Sequence, residues 1–166
     1  MKLFCQVGSF TYINFYLADK PFLLGPAALG TIFTVYLIGA VITPIAGIIL
    51  DRIGYRRTLR IAVGIIIKGM LLTLIRSLPV IILGLTMAST GVFICQAAAS
   101  SYVGKAAGKA RSSAAGLYVA FYYFGGVLGS ILPGFFWETA GWAGCVALIL
   151  FMQAGILLLA SKLWKD

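Results

Sequence analysis

Six long apolar runs constrain this chain more than any other feature of its sequence. They cover residues 3–17, 29–50, 59–75, 80–103, 113–137 and 142–161. Most of them have the roughly 17–25 residues that a helix needs to cross about 30 Å of hydrocarbon. Because backbone polar groups cannot stay unpaired in lipid, and the runs are too continuous for barrel strands, we expect each run to be helical. The sequence therefore predicts an all-α, polytopic membrane helix bundle with about six transmembrane helices.

The composition indicates that this bundle lies in a lipid bilayer. Hydrophobic residues make up 61% of the 166 residues and charged residues 10%, and the mean hydropathy is +1.05. A soluble domain has about 45–50% apolar and about 25% charged residues. This chain has too little polar surface to dissolve, so we expect residues 1–166 to form a single transmembrane bundle.

The first run is shorter and more polar than the others. It follows Met1 and Lys2 directly, as the apolar part of a signal peptide would. Gln6 and Asn14 interrupt it, however, and no A-x-A cleavage pattern follows. We therefore expect a true or clipped span at this position.

The cations fall mainly on one side of the predicted membrane. If both termini are cytoplasmic, ten of them lie inside: Lys2, Arg52, Arg56, Arg57, Arg60, Lys105, Lys109, Arg111, Lys162 and Lys165. Lys20 and Arg76 lie outside, and Lys68 lies within the third span. This bias follows the positive-inside rule. The net charge of +9 therefore predicts topology, and nucleic acid is not expected as a partner.

A short charged segment separates the second and third runs. Its notable residues are Gly47, Asp51, Arg52, Gly54, Arg56 and Arg57. Gly47 would let the helix end approach a neighbour, and Gly54 would permit a tight turn. Asp51 can accept hydrogen bonds from helix-terminal amides or pair with a guanidinium. Membrane topology alone would also explain the arginines.

The pattern G-x-x-x-D-R-x-G-x-R-R of this segment resembles the signature loop of the major facilitator superfamily. That loop lies between the second and third helices of each six-helix half. Residues 116–137, with their Gly-Leu-Tyr, Tyr-Tyr-Phe-Gly-Gly and Pro-Gly steps, are similar to the eleventh helix of a bacterial branch described as sugar- or drug-efflux transporters. The end of the fourth span, residues 100–104, fits the same branch. The resemblance covers essentially the whole chain and matches it to the C-terminal half of a transporter.

The resemblance implies a fold of twelve helices in two halves, with a substrate site between them near the bilayer midplane. It implies a multi-pass protein of the bacterial inner membrane with cytoplasmic termini, a conformational latch at Asp51, and secondary, proton-coupled efflux as an antiporter. The chain begins inside what would be the seventh helix. We therefore expect a partial or truncated transporter that needs an N-terminal six-helix half.

Two other interpretations remain open at this level. The chain could be a non-transporting membrane remnant or an assembly subunit of a split transporter. A half-size homodimeric carrier would need a complete first helix, and this one looks clipped.

Polar and aromatic residues within the spans are the candidates for lining a substrate path. They are Gln96, Ser100, Tyr118, Tyr122, Asn14 and Tyr36. Hydrogen bonding between helices would explain them as well. Small residues on one face of the fifth span, Gly125, Gly129 and Pro133, are expected to pack helices closely.

Lys68 lies near the centre of the third span, where a cation is a functional hypothesis by default. It could couple transport to protons or bind an anionic substrate. It could also snorkel, meet a partner in a second half, or be a defect. No acid lies deep in any span, which weakens the coupling hypothesis.

Nothing in the sequence predicts an enzyme, a metal site or a cofactor. There is no histidine, and Asp51 and Glu138 have no second carboxylate nearby for acid–base work. The three cysteines, Cys5, Cys95 and Cys145, have no metal-ligand spacing and are expected to be packing residues.

Overall fold

The computed structural model of the protein describes residues 2–163, apart from the side chains at positions 46, 49, 51, 161 and 163. Its helices are α1 (Lys2–Ala18), α2 (Pro26–Ile32), α3 (Val35–Ile53), α4 (Tyr55–Leu72), α5 (Leu78–Ala106) and α6 (Arg111–Leu163), with a 3₁₀ turn at Gly108–Ala110. No strand occurs within the described range. The predicted all-α bundle is therefore confirmed.

The second apolar run is not one helix, as the sequence analysis expected for residues 29–50. It begins earlier, at Pro26, and is divided between α2 and α3 at Phe33 and Thr34. There the amides of Phe33 and Thr34 bond three residues back, to Gly30 O at 3.2 Å and Thr31 O at 3.0 Å. The Thr34 hydroxyl also donates to Thr31 O at 2.7 Å. Such local side-chain bonding competes with the α-helical pattern, so the chain tightens into a 3₁₀ turn.

The last two runs, 113–137 and 142–161, belong to one element, α6, that reverses its direction. Gly141 has φ 57° and ψ −143°, a conformation that only glycine adopts readily. The thiol of Cys145 donates to Pro133 O at 3.4 Å, although a straight helix would separate residues at this spacing by roughly 18 Å. The element therefore consists of two arms, residues 111–140 and 142–163, packed against each other. Their lengths of roughly 45 and 33 Å each suffice to cross the hydrocarbon layer.

Close contacts at glycines hold the helix pairs together. The main pairs are α4 with α5, α1 with the first arm of α6, and α3 with α5. A Cβ atom built on Gly69 would lie 2.5 Å from the carbonyl oxygen of Gly84, so α4 and α5 touch through their main chains. A Cβ on Gly129 would lie 2.5 Å from the carbonyl oxygen of Phe4 in the same way. Such contacts replace the hydrophobic driving force that lipid does not supply.

Buried hydroxyl groups bond within the bundle, as a water-free environment requires. Ser9 donates to Cys5 O at 2.6 Å, one turn back on α1. The indole of Trp142 donates to the hydroxyl of Thr73 at 3.1 Å, and both residues are buried. This bond joins the second arm of α6 to the end of α4.

The outer surface of the bundle is strongly apolar. Val41 is 72% exposed and Phe151 74%. By length and composition, three described helical stretches could cross a membrane: Pro26–Ile45, Leu78–Ala106 and Gly108–Ala160. An apolar exterior with polar groups bonded inside indicates a multi-pass membrane protein.

We expect Gly69→Ala to destabilise the bundle by about 1–3 kcal/mol, because the added methyl group must push two main chains apart. The matched control is Gly64→Ala on the same helix, where a Cβ would have no described atom within 4 Å. The control should be neutral or stabilising by up to about 1 kcal/mol. Thermal unfolding of the detergent-solubilised protein measures both effects. Equal melting temperatures for the two variants would show that the close approach of α4 and α5 does not matter.

Candidate functional site

Four polar side chains meet where α1, α5 and the first arm of α6 come together. The Tyr118 hydroxyl donates to Gln96 Oε1 at 3.1 Å. The rings of Tyr118 and Tyr122 stack with 6.2 Å between their centroids. The Lys2 ammonium donates to the Cys95 carbonyl oxygen. We call Lys2, Gln96, Tyr118 and Tyr122 the lysine–tyrosine cluster.

Lys2 lies deep in the bundle, which corrects its interpretation as a charge at the cytoplasmic surface. Its partner Cys95 lies roughly 26 Å of helix rise from Leu78 and roughly 16 Å from Ala106, the two ends of α5. The neighbouring Leu3 packs against Gly126, roughly 22 Å along α6 from its start. Position along the chain gives only the order of a residue and not its depth, so the sequence alone predicts a border position for a lysine just before an apolar run.

The cluster borders a cavity of about 150 Å³. The residues that line it are Lys2, Tyr118, Phe121, Tyr122 and Ile156, from α1 and both arms of α6. Phe121 is 66% exposed, so the cavity lies at the surface of the bundle. One lysine and two tyrosines therefore line an otherwise apolar space.

Asn14 and Tyr36 border a different cavity of about 470 Å³, between α1 and the α2–α3 junction. The Asn14 amide nitrogen donates to Phe10 O at 2.8 Å, while its buried Oδ1 has no hydrogen-bond partner among the described residues. The Tyr36 ring packs on Phe10 with 4.2 Å between centroids. The structure thus divides the predicted lining residues into two groups.

Ser100 bonds within its own helix. Its hydroxyl donates to Gln96 O at 2.9 Å and to Ala97 O at 3.1 Å. This is a common arrangement for serine in a membrane helix, because it satisfies the hydroxyl without another element. A role for Ser100 in substrate contact stays a prediction.

The small-residue face of α6 holds α1 in place. A Cβ on Gly8 would lie 3.1 Å from both Gly129 O and Pro133 Cγ. Gly125 is buried on the same face, one turn before Gly129. Because α1 is seated directly on this face, the contact fixes Lys2 beside the two tyrosines.

The charged segment between α3 and α4 is reduced to a single-residue junction. α3 ends at Ile53 and α4 begins at Tyr55, with Gly54 at φ 83° between them. Arg52 and Arg57 are exposed, while Arg56 is half-buried. The turn that Gly54 was expected to permit is therefore only one residue long.

Two expectations for this segment have different outcomes. A Cβ on Gly47 would meet no described atom within 4 Å, so the close approach expected there is not found within this bundle. Asp51 lies in the last turn of α3, but its side chain is outside the described residues. Its role as a latch stays a prediction.

The junction is tied to the end of α5 by aromatic contacts. The Tyr55 ring lies 5.6 Å from the Tyr102 ring, and the Lys105 ammonium lies 5.2 Å from the Tyr55 centroid. A cation at this distance is attracted to the face of the ring. This contact cannot be identified from the sequence alone, since residues 55 and 105 lie in different predicted loops.

Lys68 is exposed on α4, away from the lysine–tyrosine cluster and its cavity. The three cysteines are buried free thiols. Over the part of the chain that the structure describes, no three of the residues His, Cys, Asp and Glu are grouped to hold a metal ion.

Comparison with known proteins gives one family and several relatives. Residues 3–166 match the family described as Major Facilitator Superfamily. The chain is 36% identical over 156 residues to an uncharacterized transporter of Buchnera aphidicola subsp. Schizaphis graminum, covering 94% of this chain and 38% of the relative. It is 35% identical over 161 residues to the uncharacterized MFS-type transporter YybF of Bacillus subtilis, covering 97% and 40%.

A third relative is the inner membrane transport protein YnfM of Escherichia coli, 34% identical over 156 residues, with coverage of 94% of this chain and 37% of the relative. No solved structure gives a significant match. The chain therefore spans only 37–40% of the length of these three relatives.

The Gln96–Tyr118 bond predicts energetic coupling between α5 and α6. In a double-mutant cycle of Gln96→Leu and Tyr118→Phe, we expect a coupling energy of about 0.5–1.5 kcal/mol, the net value of one hydrogen bond. Tyr123→Phe is the control for the same chemical change, because Tyr123 is exposed on the same helix. Reversible unfolding in mixed micelles measures the cycle. Additive effects of the two substitutions would argue against the bond.

Proposed function

The chain belongs to the major facilitator superfamily, and from this premise we propose that it forms one six-helix half of a transporter that moves a small solute across the membrane by alternating access. The observation that carries this proposal is the family match over residues 3–166. Relatives from two bacteria are named as transporters, which supports the same activity here. The chain spans about two fifths of their length, so the complete transport path would include a second half.

The lysine–tyrosine cluster supports the placement of a substrate path. Its cavity lies on the bundle surface, where the exposed Phe121 leaves one side uncovered. A second six-helix half packed on this side would close the cavity into a site near the bilayer midplane. Rocking of one half against the other would then open the site to each side of the membrane in turn.

We further propose that the solute leaves the cell in exchange for protons. The acidic residues Asp19, Asp51 and Glu138 lie at or near helix ends, and Asp166 is the last residue of the chain. A proton-carrying carboxylate in the middle of the bilayer would therefore belong to the second half. The distribution of the cations other than Lys2 supports a bacterial inner-membrane location with the α3–α4 junction and the C-terminus in the cytoplasm.

The test is to purify the tagged chain from cells that carry its native gene region, and then to reconstitute it. We expect a second six-helix half to accompany it, and the proteoliposomes to show counterflow with a panel of labelled sugars, amino acids, aromatic acids and lipophilic cations. A protonophore should abolish accumulation against a gradient. A chain that purifies without a second half and gives no counterflow would instead be a remnant or an assembly subunit.

Asp51→Asn should lower the transport rate at least about tenfold, because a latch made by charge-assisted hydrogen bonds loses its charge. The amount of protein in the membrane should not change. Asp19→Asn is the matched control, since Asp19 is exposed in the loop after α1 and accepts a bond from the Lys20 amide at 2.7 Å. Equal transport rates for the Asp51 variant and the parent would remove the latch role.

Gln96→Ala should weaken the apparent substrate affinity about fivefold, the value of one neutral hydrogen bond. The control is Thr86→Ala on the same helix, because the Thr86 hydroxyl donates to Ile82 O within its own helix at 2.8 Å. The concentration dependence of counterflow gives both affinities. An unchanged affinity in Gln96→Ala would end the assignment of this residue to the site.

A further inference from the structure

We propose that the lysine–tyrosine cluster binds a small amphiphilic organic acid, with its carboxylate at the Lys2 ammonium and its apolar body against Phe121 and Ile156. This inference rests on the proposed transport function and names the substrate class of that site. It follows from three observations: the depth of Lys2, the positions of the acidic residues, and the lining of the cavity.

The Lys2 ammonium lacks a negative partner among the groups that the structure places around it. Its hydrogen bond goes to the carbonyl oxygen of Cys95, which is a neutral group. A cation at this depth of a membrane bundle is costly unless an anion compensates it. One position for that anion is the cavity that Lys2 lines.

Two of the acidic residues, Asp19 and Glu138, lie far from Lys2 when the distance is measured in the direction of α1. Asp19 follows the opposite end of α1, roughly 25 Å of helix rise away. Glu138 follows Trp137, whose ring lies 6.1 Å from that of Tyr12, and Tyr12 is roughly 15 Å of rise from Lys2. Neither carboxylate is therefore in reach of the ammonium.

The backbone of Asp51 is also distant. Gly39 of α3 packs against Phe93 of α5, close to the level of Cys95. Asp51 lies roughly 18 Å of helix rise farther along α3 from Gly39. Among the residues that the structure describes, a cation therefore lies at this depth without a carboxylate beside it.

The residues that line the cavity favour an organic anion over an inorganic one. Its volume of about 150 Å³ is well above the roughly 10–15 Å³ that one water needs. Phe121, Ile156 and the stacked rings of Tyr118 and Tyr122 offer apolar surface, which favours an organic body over an inorganic ion. The Tyr118 hydroxyl already donates to Gln96. The Tyr122 hydroxyl is therefore the phenol that can donate to a carboxylate oxygen. An organic acid with a short or flat apolar part satisfies both the charge and the walls.

The experiment measures binding directly, so that it does not depend on transport. The probes are benzoate, hexanoate and phenylphosphonate as anions, benzamide as the neutral analogue and benzylamine as the cation. Each is titrated calorimetrically into the detergent-solubilised full chain, together with any half that copurifies. The variants are Lys2→Gln, Lys2→Arg and Tyr122→Phe. Lys68→Gln is the matched control, because it removes an exposed lysine of α4 outside the cavity.

We expect at least one anion to bind at least about tenfold more tightly than benzamide, the ratio for one charge-assisted hydrogen bond. Lys2→Gln should remove this preference, while Lys2→Arg and Lys68→Gln should keep it, and Tyr122→Phe should weaken anion binding severalfold. Melting temperatures without ligand show whether each variant is folded. If Lys2→Gln does not fold, the anion preference of the parent and the effect of Tyr122→Phe decide the question.

The proposal is overturned if no anion binds more tightly than benzamide, if Lys2→Gln leaves anion binding unchanged, or if benzylamine binds best. The last result would mean that a carboxylate from outside the described bundle pairs with Lys2. Anion binding without counterflow would support the site and contradict the transport function. Counterflow of neutral or cationic solutes without anion binding would support the transport function and contradict the proposed anion site.

Discussion

The close contact between α1 and the first arm of α6 is the constraint on which the candidate site depends. Glycine at position 129 lets the main chain of Phe4 rest on α6, and Gly8 rests one turn higher against Pro133. In lipid there is no hydrophobic driving force for helix association. Helices are therefore held together by van der Waals contact, which small residues make possible. The seating of α1 fixes the depth of Lys2, and with it the chemistry of the cavity.

Many polar side chains of the bundle are satisfied by hydrogen bonds within their own helix. Ser9, Thr58 and Thr86 each bond to a carbonyl of their own helix, which leaves few polar groups free to join elements. The bonds that do join helices are therefore informative. Those of Gln96 with Tyr118 and Trp142 with Thr73 link α5 and α4 to the two arms of α6. The bond between Gln96 and Tyr118 lies beside the cavity, because Tyr118 lines it.

Much of the fold could be predicted from hydropathy, because burial in lipid needs long apolar helices and little else. The membership in the major facilitator superfamily, indicated by the loop around Asp51, is confirmed by the family match. The break at Phe33 could not be predicted, since it depends on local hydrogen bonding within a uniformly apolar run. The depth of Lys2 depends on how two helices align, and the sequence of one chain does not show that alignment. The functional roles of Gln96, Tyr118 and Asp51 stay predictions, because they concern motion and ligands.

The two tight junctions of the bundle also have a consequence for its biogenesis. One residue joins α3 to α4 at Gly54, and the arms of α6 reverse at Gly141, so each pair of helices must enter the membrane as a single hairpin. The tip at Gly54 carries Arg52, Arg56 and Arg57, which would be expensive to carry across the bilayer. The tip at Gly141 has Glu138 as its nearest charge and can be translocated at little cost. We therefore expect the first hairpin to be retained by its tip on the side of the ribosome during synthesis, and the second to pass its tip through to the far side.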